Sequence, residues 1–180
     1  LEELLCADCG LHSFWPTVIG KPALYEALID QPGYYPARKW EFTRVLEFLA
    51  AERPESILEI GCGVGGFLRQ AVRFSDHSVG IDFNSKAIAD LKSAGFDGRE
   101  ASVDDIDETF DVIVAFQLLE HVPEPGTLIA SCLKKLNPGG RLIIAVPNQD
   151  GVLGDLQNNF LNLPPHHVTL WQKSCFNFIA

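Results

Sequence analysis

The stretch Ile57-Leu-Glu-Ile-Gly61-Cys-Gly63-Val-Gly65-Gly66-Phe67 constrains the fold more than any other part of this 180-residue chain. Ser56–Ile60 is short, apolar and runs straight into glycines, the pattern of a buried strand that ends at a tight turn. Helical spacing then resumes over Gly65–Phe74 through Phe67, Leu68, Ala71 and Val72. Glycine at a strand-to-helix turn permits backbone angles that other residues avoid, and it lets a ligand approach the main chain. The helix start beyond it favours an anionic group. Gly61, Gly63 and Gly66 also satisfy the G-x-G-x-x-G pattern of dinucleotide sites. On its own the turn would serve equally well to pack a strand against a helix.

The neighbouring segments repeat this alternation. Phe42, Val45, Leu46 and Leu49 predict an amphipathic helix over about 37–51. Ser78–Ile81 reads as a second strand. Asn84 or Ser85 then caps a helix packed through Ala87, Ile88, Leu91 and Ala94 and stopped at Gly95. A weaker strand lies near Gly98–Ala101, and Phe110–Phe116 is a strong one. Leu128 to Leu136 marks another helix, which Asn137-Pro-Gly-Gly140 ends before a fifth strand at Arg141–Val146. Strands joined by helices of these lengths imply parallel βαβ units. The expected class is therefore α/β, a Rossmann-like doubly wound and mainly parallel sheet with helices on both faces. A ligand should sit beyond the carboxyl ends of the strands, at the switch point. Asp82 lies 21 residues after Gly61, where a carboxylate can accept both hydroxyls of a ribose. Its position does not separate a nicotinamide cofactor from another adenosine cofactor.

Four segments in order resemble those of class I S-adenosylmethionine-dependent methyltransferases, of the type 11/12/23 kind. They are Glu59-x-Gly61-x-Gly63-x-Gly65, Val79-Gly-Ile-Asp82-Phe-Asn84, the run from Phe110 to Pro125 that includes Glu120-His121-Val-Pro, and Leu136-Asn-Pro-Gly-Gly140 through Pro147-Asn148. The resemblance implies S-adenosyl-L-methionine as cofactor and methyl transfer to a small-molecule acceptor by in-line displacement. It places Gly61, Cys62, Gly63 and Gly65 beside the methionine part of the cofactor, with Glu59 orienting the amino end. Asp82 would hold the ribose and Phe83 would pack on the adenine. Ser102 and Val103 would meet the adenine edge, where the family often has an aspartate, and Gln117 and Leu118 would line the sulfonium side. Complete members end with an antiparallel strand pair, which is expected to be missing here. Two rivals stand beside this reading, a nicotinamide-dependent oxidoreductase and a catalytically inactive module that keeps the cofactor pocket.

Three histidines are candidate general bases, because imidazole titrates near neutral pH. His121 follows the fourth strand, where the Glu120-His121 pair would otherwise simply fix the loop. His166 and His167 lie in Pro164-Pro-His-His-Val-Thr-Leu-Trp171, which resembles a subgroup of the family. Adjacent histidines are expected to point apart, so that one at most faces the pocket.

Residues 1–36 read as an irregular leader with one short helix near Ala23–Ile29, and residues 37–180 as the truncated cofactor-binding domain. Cys6-x-x-Cys9-Gly has zinc-knuckle spacing, but a structural zinc takes about four ligands. The segment resembles half of a zinc ribbon such as precedes the methyltransferase domain in sugar C-methyltransferases, so no metal is expected on this chain beyond a half site at Cys6 and Cys9. Tyr34, Tyr35 and Trp40 are candidates for a lid, and residues 147–180 read as a long loop leading into one helix. Cys62, Cys132 and Cys175 read as buried apolar residues of a reducing compartment. With 24 acidic against 14 basic residues the net charge is -10, which argues against a nucleic-acid partner. No apolar run approaches the ~20 residues of a membrane helix, and no signal peptide is visible, although Leu1 is not a natural start. A cytoplasmic protein is expected, with neither membrane nor nucleic acid as partner.

Overall fold

Five segments pair in parallel, and the three inner ones are apolar and largely buried, as strands covered on both faces are. A computed structural model describes residues 1–29, 38–155 and 160–179. Its central strand, β3 (Ser56–Ile60), is buried along its whole length. β3 lies between β4 (His77–Asp82) and β6 (Phe110–Phe116), β5 (Asp97–Glu100) flanks β4, and β7 (Leu136–Ala145) flanks β6. All four pairings are parallel, with Ile57 opposite Ser78 on one side and opposite Val112 on the other. The strand order therefore reverses between β3 and β6, at the switch point anticipated from the sequence.

Alternation along these strands sorts the core into two layers. Ile57, Val112, Val114 and Phe116 face Phe42, Val45, Leu46 and Leu49 of helix α2 (Trp40–Glu52). Leu58, Ile60, Ile113 and Ala115 face the other way, toward Val103, Cys132 of α5 (Pro125–Lys134), and Trp171. Helix α3 (Leu68–Ala71), continued by a 3-10 turn at Val72–Phe74, is shorter than its spacing suggested. Asn84 supplies the cap of α4 (Ser85–Ser93), its side-chain oxygen accepting the Ala87 N–H at 3.1 Å. β7 begins earlier than expected: Leu136, read as the end of a helix, already pairs with Phe110 of β6, and residues 137–140, read as a turn, form an irregularity before Arg141 pairs with Val112.

The N-terminal segment corrects the sequence reading. Residues 1–36 were expected to be irregular apart from one short helix near Ala23–Ile29; that helix is present as α1 (Pro22–Ile29), but ahead of it β1 (Glu2–Leu5) and β2 (His12–Trp15) form an antiparallel hairpin. β2 pairs in turn with β8 (Thr169–Leu170), so the hairpin is held against the C-terminal region. Cys6 and Cys9 share the hairpin turn, which the Cys6 N–H closes on Leu11 O and the Gly10 N–H on Cys6 O. Backbone N–H groups of Cys9 and Asp8 draw the Cys6 thiol below its usual value. Gln172 and Ser174, beside and within α7 (Lys173–Ile179), hydrogen-bond Gly10 O and Cys9 O. The tail is thus more structured than a long loop, with α6 (Val152–Asp155) and β8 preceding α7. Tyr34 and Tyr35 lie outside the described residues, and Trp40 stands exposed at the start of α2. No helix among the described residues is long and apolar enough to cross a membrane.

Candidate functional site

The carboxyl ends of β3, β4 and β6 open into one cavity of about 960 Å³, near the upper end of the usual range for small-molecule sites. At its floor the Gly61 and Cys62 N–H groups both bond Ile81 O, at 2.8 and 3.0 Å, which folds the glycine turn over the end of β4. Gly61 has φ +69°, and a Cβ there would come within 3.1 Å of Leu118 Cδ1. Glycine is thus required both by the backbone angle and by the close approach of Leu118.

Asp82 joins the two halves of this floor. Its Oδ2 accepts the Gly63 N–H and its Oδ1 accepts the Asn84 N–H, each at 2.8 Å. A carboxylate has about four acceptor positions, so both oxygens retain one for a ligand. Glu59, 3% exposed, accepts the Leu68 N–H at 3.0 Å and so fixes the start of α3. Burial pushes its carboxyl well above the usual range, against the pull of that N–H. Burial also pushes the Cys62 thiol far up, with Glu59 and Asp82 adding to the effect, so Cys62 is a packing residue rather than a nucleophile.

The structure brings most of the sequence-predicted cofactor residues to this cavity. Glu59, Gly61, Cys62 and Asp82 line its floor, Phe83 its outer edge, and Gln117 and Leu118 its wall. Gly63 and Gly65 act from behind. Gly63 supplies the amide that Asp82 accepts, and Gly65, at φ +77°, packs so close to Leu91 that a Cβ would lie 2.5 Å from its Cδ1. Ser102 and Val103 are not brought there. The Ser102 hydroxyl donates to Asp105 Oδ2 at 2.6 Å in a reciprocal cap of the short turn Val103–Asp105, and Val103 is buried in the core. Both are thereby committed to local structure.

The other end of the cavity holds all three candidate histidines. The Val168 N–H donates to Glu120 O at 2.7 Å and the Thr169 hydroxyl to Leu119 O at 3.1 Å, which ties the 163–168 loop to the exit of β6. The expectation that only one of His166 and His167 faces the pocket is overturned. Their rings stack at 4.6 Å with 22° between planes, and His121 meets them edge-on at 4.6 and 4.9 Å. The Leu163 carbonyl accepts the N–H of both His166 and His167, so the chain turns tightly there and carries the two side chains to the same side. Burial lowers His121 to about 4 and His167 to about 3, so both are neutral at pH 7. Beside them Glu120 is 1% exposed, burial pushes it up to about 8, and its Oε2 lacks a hydrogen-bond partner.

Sequence reasoning did not assign Tyr25, Lys39, Phe42, Arg69 or Glu120 to the site, yet all five line the cavity. Phe42 reads from its spacing as core, and it is that too. Glu120 carried the one usable signal, an acidic residue beside His121 at the end of an apolar strand. Tyr25 reaches His121, with ring centroids 5.7 Å apart, from an N-terminal segment whose sequence gives no sign of it.

A family profile described as a methyltransferase domain matches residues 35–177. Among curated relatives, the ubiquinone biosynthesis O-methyltransferase of Hahella chejuensis is 30% identical over 111 residues, 56% of this chain and 47% of that protein. The enzyme of the same name from Pseudomonas putida strain W619 is 33% identical over 107 residues, 53% of this chain and 46% of that protein. The chain thus spans about half the length of the curated relatives it matches. Among solved structures, the N-methyltransferase NodS from Bradyrhizobium japonicum in complex with S-adenosyl-L-homocysteine superposes with a TM-score of 0.56 at 24% identity, covering 67% of this chain and 71% of that one. That likeness concerns the fold. Together with the glycine turn, the carboxylate at the end of β4 and the all-parallel sheet, the profile match over most of the length shows that this chain belongs to the methyltransferase-domain family.

Proposed function

We propose that this chain is the cofactor-binding core of an S-adenosyl-L-methionine-dependent methyltransferase that acts on a small-molecule acceptor. One observation carries the reading: the open glycine turn at 61–65 and the Asp82 carboxylate, read from the sequence as the two holds on the cofactor, border the same cavity. The donor set fits the group. Asp82 keeps an acceptor position on each oxygen for the ribose hydroxyls, Phe83 offers an exposed ring at the adenine side, and a Cβ at Gly61 would crowd the approach.

When bound, the cofactor supplies a methyl group already activated on a sulfonium. The chain's own residues then have mainly to orient and to exclude water. Orientation of the reacting groups is worth about 7–11 kcal/mol of a barrier. Asp82 and the Gly61–Gly65 turn would fix one reactant, with Gln117 and Leu118 lining the same cavity, and the acceptor would sit by the histidines. His121, His166 and His167 are assigned to acceptor positioning. Neutral imidazoles near pKa 3–4 are weak proton acceptors at pH 7, which disfavours bare His121 and His167 as bases. We take residues 37–180 as the cofactor-binding unit and residues 1–36 as an accessory segment, with the Cys6/Cys9 turn as half of a zinc ribbon.

Calorimetric titration with S-adenosyl-L-homocysteine and, separately, with NAD tests the proposal. Micromolar binding of the first and none of the second is expected, and the reverse order would return the chain to the oxidoreductase reading.

A further inference from the structure

The histidine end of the cavity has the construction of a metal site. His121, His166 and His167 each offer a ring nitrogen, and the three nitrogens lie within 4.8 Å of one another. Each ring is oriented through Nδ1. His121 Nδ1 lies 2.6 Å from His166 O, His166 Nδ1 2.7 Å from Leu161 O, and His167 Nδ1 2.9 Å from Asn162 Oδ1. Carbonyl oxygens only accept, so each Nδ1 is the donor, and Nε2 is the nitrogen through which each ring would ligate an ion. A ligating histidine held by a carbonyl at its other nitrogen is the usual arrangement around protein-bound metals. Asn162 is itself fixed, its amide donating to Gln149 Oε1 at 3.2 Å. A second observation is independent of the rings. The Glu120 side chain, 1% exposed and lining the same cavity, has an oxygen with no hydrogen-bond partner, and its other oxygen is 4.0 Å from His121 Nε2. A buried carboxyl oxygen without a partner is costly, and a bound cation would supply one.

We propose that His121, His166 and His167 bind one divalent transition metal ion at the acceptor end of the cavity, with Glu120 facing it. Three imidazoles suit zinc, iron, nickel or copper far better than magnesium or calcium. Zinc–nitrogen bonds of about 2.0–2.1 Å set nitrogens about 3.3 Å apart in a tetrahedral site, so the three rings close by roughly 1 Å on the ion. Three protein ligands leave a position open, as in catalytic rather than structural sites. The three histidines and Glu120 line the cavity, so the open position would be available to the acceptor, whose donor atom would then be an oxygen of a hydroxyl or carboxylate. This role toward the acceptor rests on the methyltransferase reading, whereas binding of the ion does not.

The test uses the full chain carrying Cys6→Ser and Cys9→Ser, which removes the thiols that would otherwise take the probe. Zinc chloride is titrated by calorimetry, and cobalt chloride by visible absorption. One ion per chain is expected, with cobalt d–d bands that zinc displaces and no thiolate charge-transfer band. His167→Ala should weaken zinc at least ~100-fold, and Asn162→Ala, which only orients His167, by roughly 10-fold. If His167→Ala does not fold by circular dichroism, His121→Gln provides the same comparison. Absence of both the zinc heat and the cobalt bands in folded protein overturns the proposal, as does a folded histidine variant whose zinc affinity stays within about 3-fold. Binding of S-adenosyl-L-homocysteine, read separately on the same protein, reports on the cofactor end, so a failure there is distinguishable from a failure of the metal site.

Discussion

Asp82→Asn separates the ligand-binding role of this carboxylate from its structural one. In the folded chain Asp82 accepts two backbone amides, from Gly63 and from Asn84. Asparagine keeps one acceptor oxygen and turns the other position into a donor, so one of those bonds is lost. That costs about 1 kcal/mol, or a fall in Tm of roughly 2–4 °C for a chain of this size. The ligand loses more. Hydrogen bonds to a charged group are worth about 1.5–3 kcal/mol each, and two ribose hydroxyls compete for what the amide leaves. A net loss near 3 kcal/mol corresponds to an affinity drop of about 100- to 200-fold. Calorimetry with S-adenosyl-L-homocysteine measures the affinity, and a thermal melt without ligand measures the fold. If Tm falls as expected while affinity stays within about 3-fold, Asp82 only staples the turn, and the assignment of the ribose to this carboxylate is wrong.

Two further substitutions probe the scaffold. Phe67 is fully buried, with its ring centroid 5.6 Å from Phe42 and 4.8 Å from Phe116 directly behind the glycine turn; Phe67→Ala should cost about 3–5 kcal/mol in urea unfolding, and a loss under about 1 kcal/mol would contradict the packing described. Asp111 ties together the starts of three strands, accepting from Asn137 Nδ2 at 2.8 Å and from the Ser56 N–H at 3.0 Å. The Asn137 amide first, and Ser56 after it, hold its carboxyl below the usual range. A depressed carboxylate contributes stability above its unfolded pKa of about 3.9, and that contribution fades as pH falls through the lower folded value. Asp111→Asn should therefore lower Tm at pH 7 and flatten the decline in Tm below about pH 4; an unchanged acid limb would assign that decline to other groups.

The sequence was sufficient wherever the relevant physics is local. Alternating apolar strands, helical spacing and the capping residue Asn84 are set by neighbours within a few positions, and they yielded the parallel sheet and its order of elements. The glycine turn and Asp82 were legible for the same reason: backbone angles near +69° at Gly61 demand glycine, and a strand end must present whichever residue follows it. Local reading failed where a residue's partner is remote. The hairpin at residues 2–15 looked irregular because its third strand lies more than 150 residues away, at Thr169–Leu170. Ser102 matched a family position but is consumed by its own cap with Asp105.

The histidines show the division most sharply. Their identities are plain in the chain, but His121 is 45 residues from His166, and bonds between remote segments, from Val168 and Thr169 to the exit of β6 and between His121 Nδ1 and His166 O, bring them together. Burial then makes His121 and His167 neutral, which no count of charges along the sequence could foresee. The sequence by itself determined the sheet, the glycine turn and the carboxylate at its edge, because each follows from short-range periodicity and backbone sterics. Only the tertiary structure decided what faces the far end of the cavity, because contacts between distant segments and the dielectric around them exist only once the chain has closed on itself.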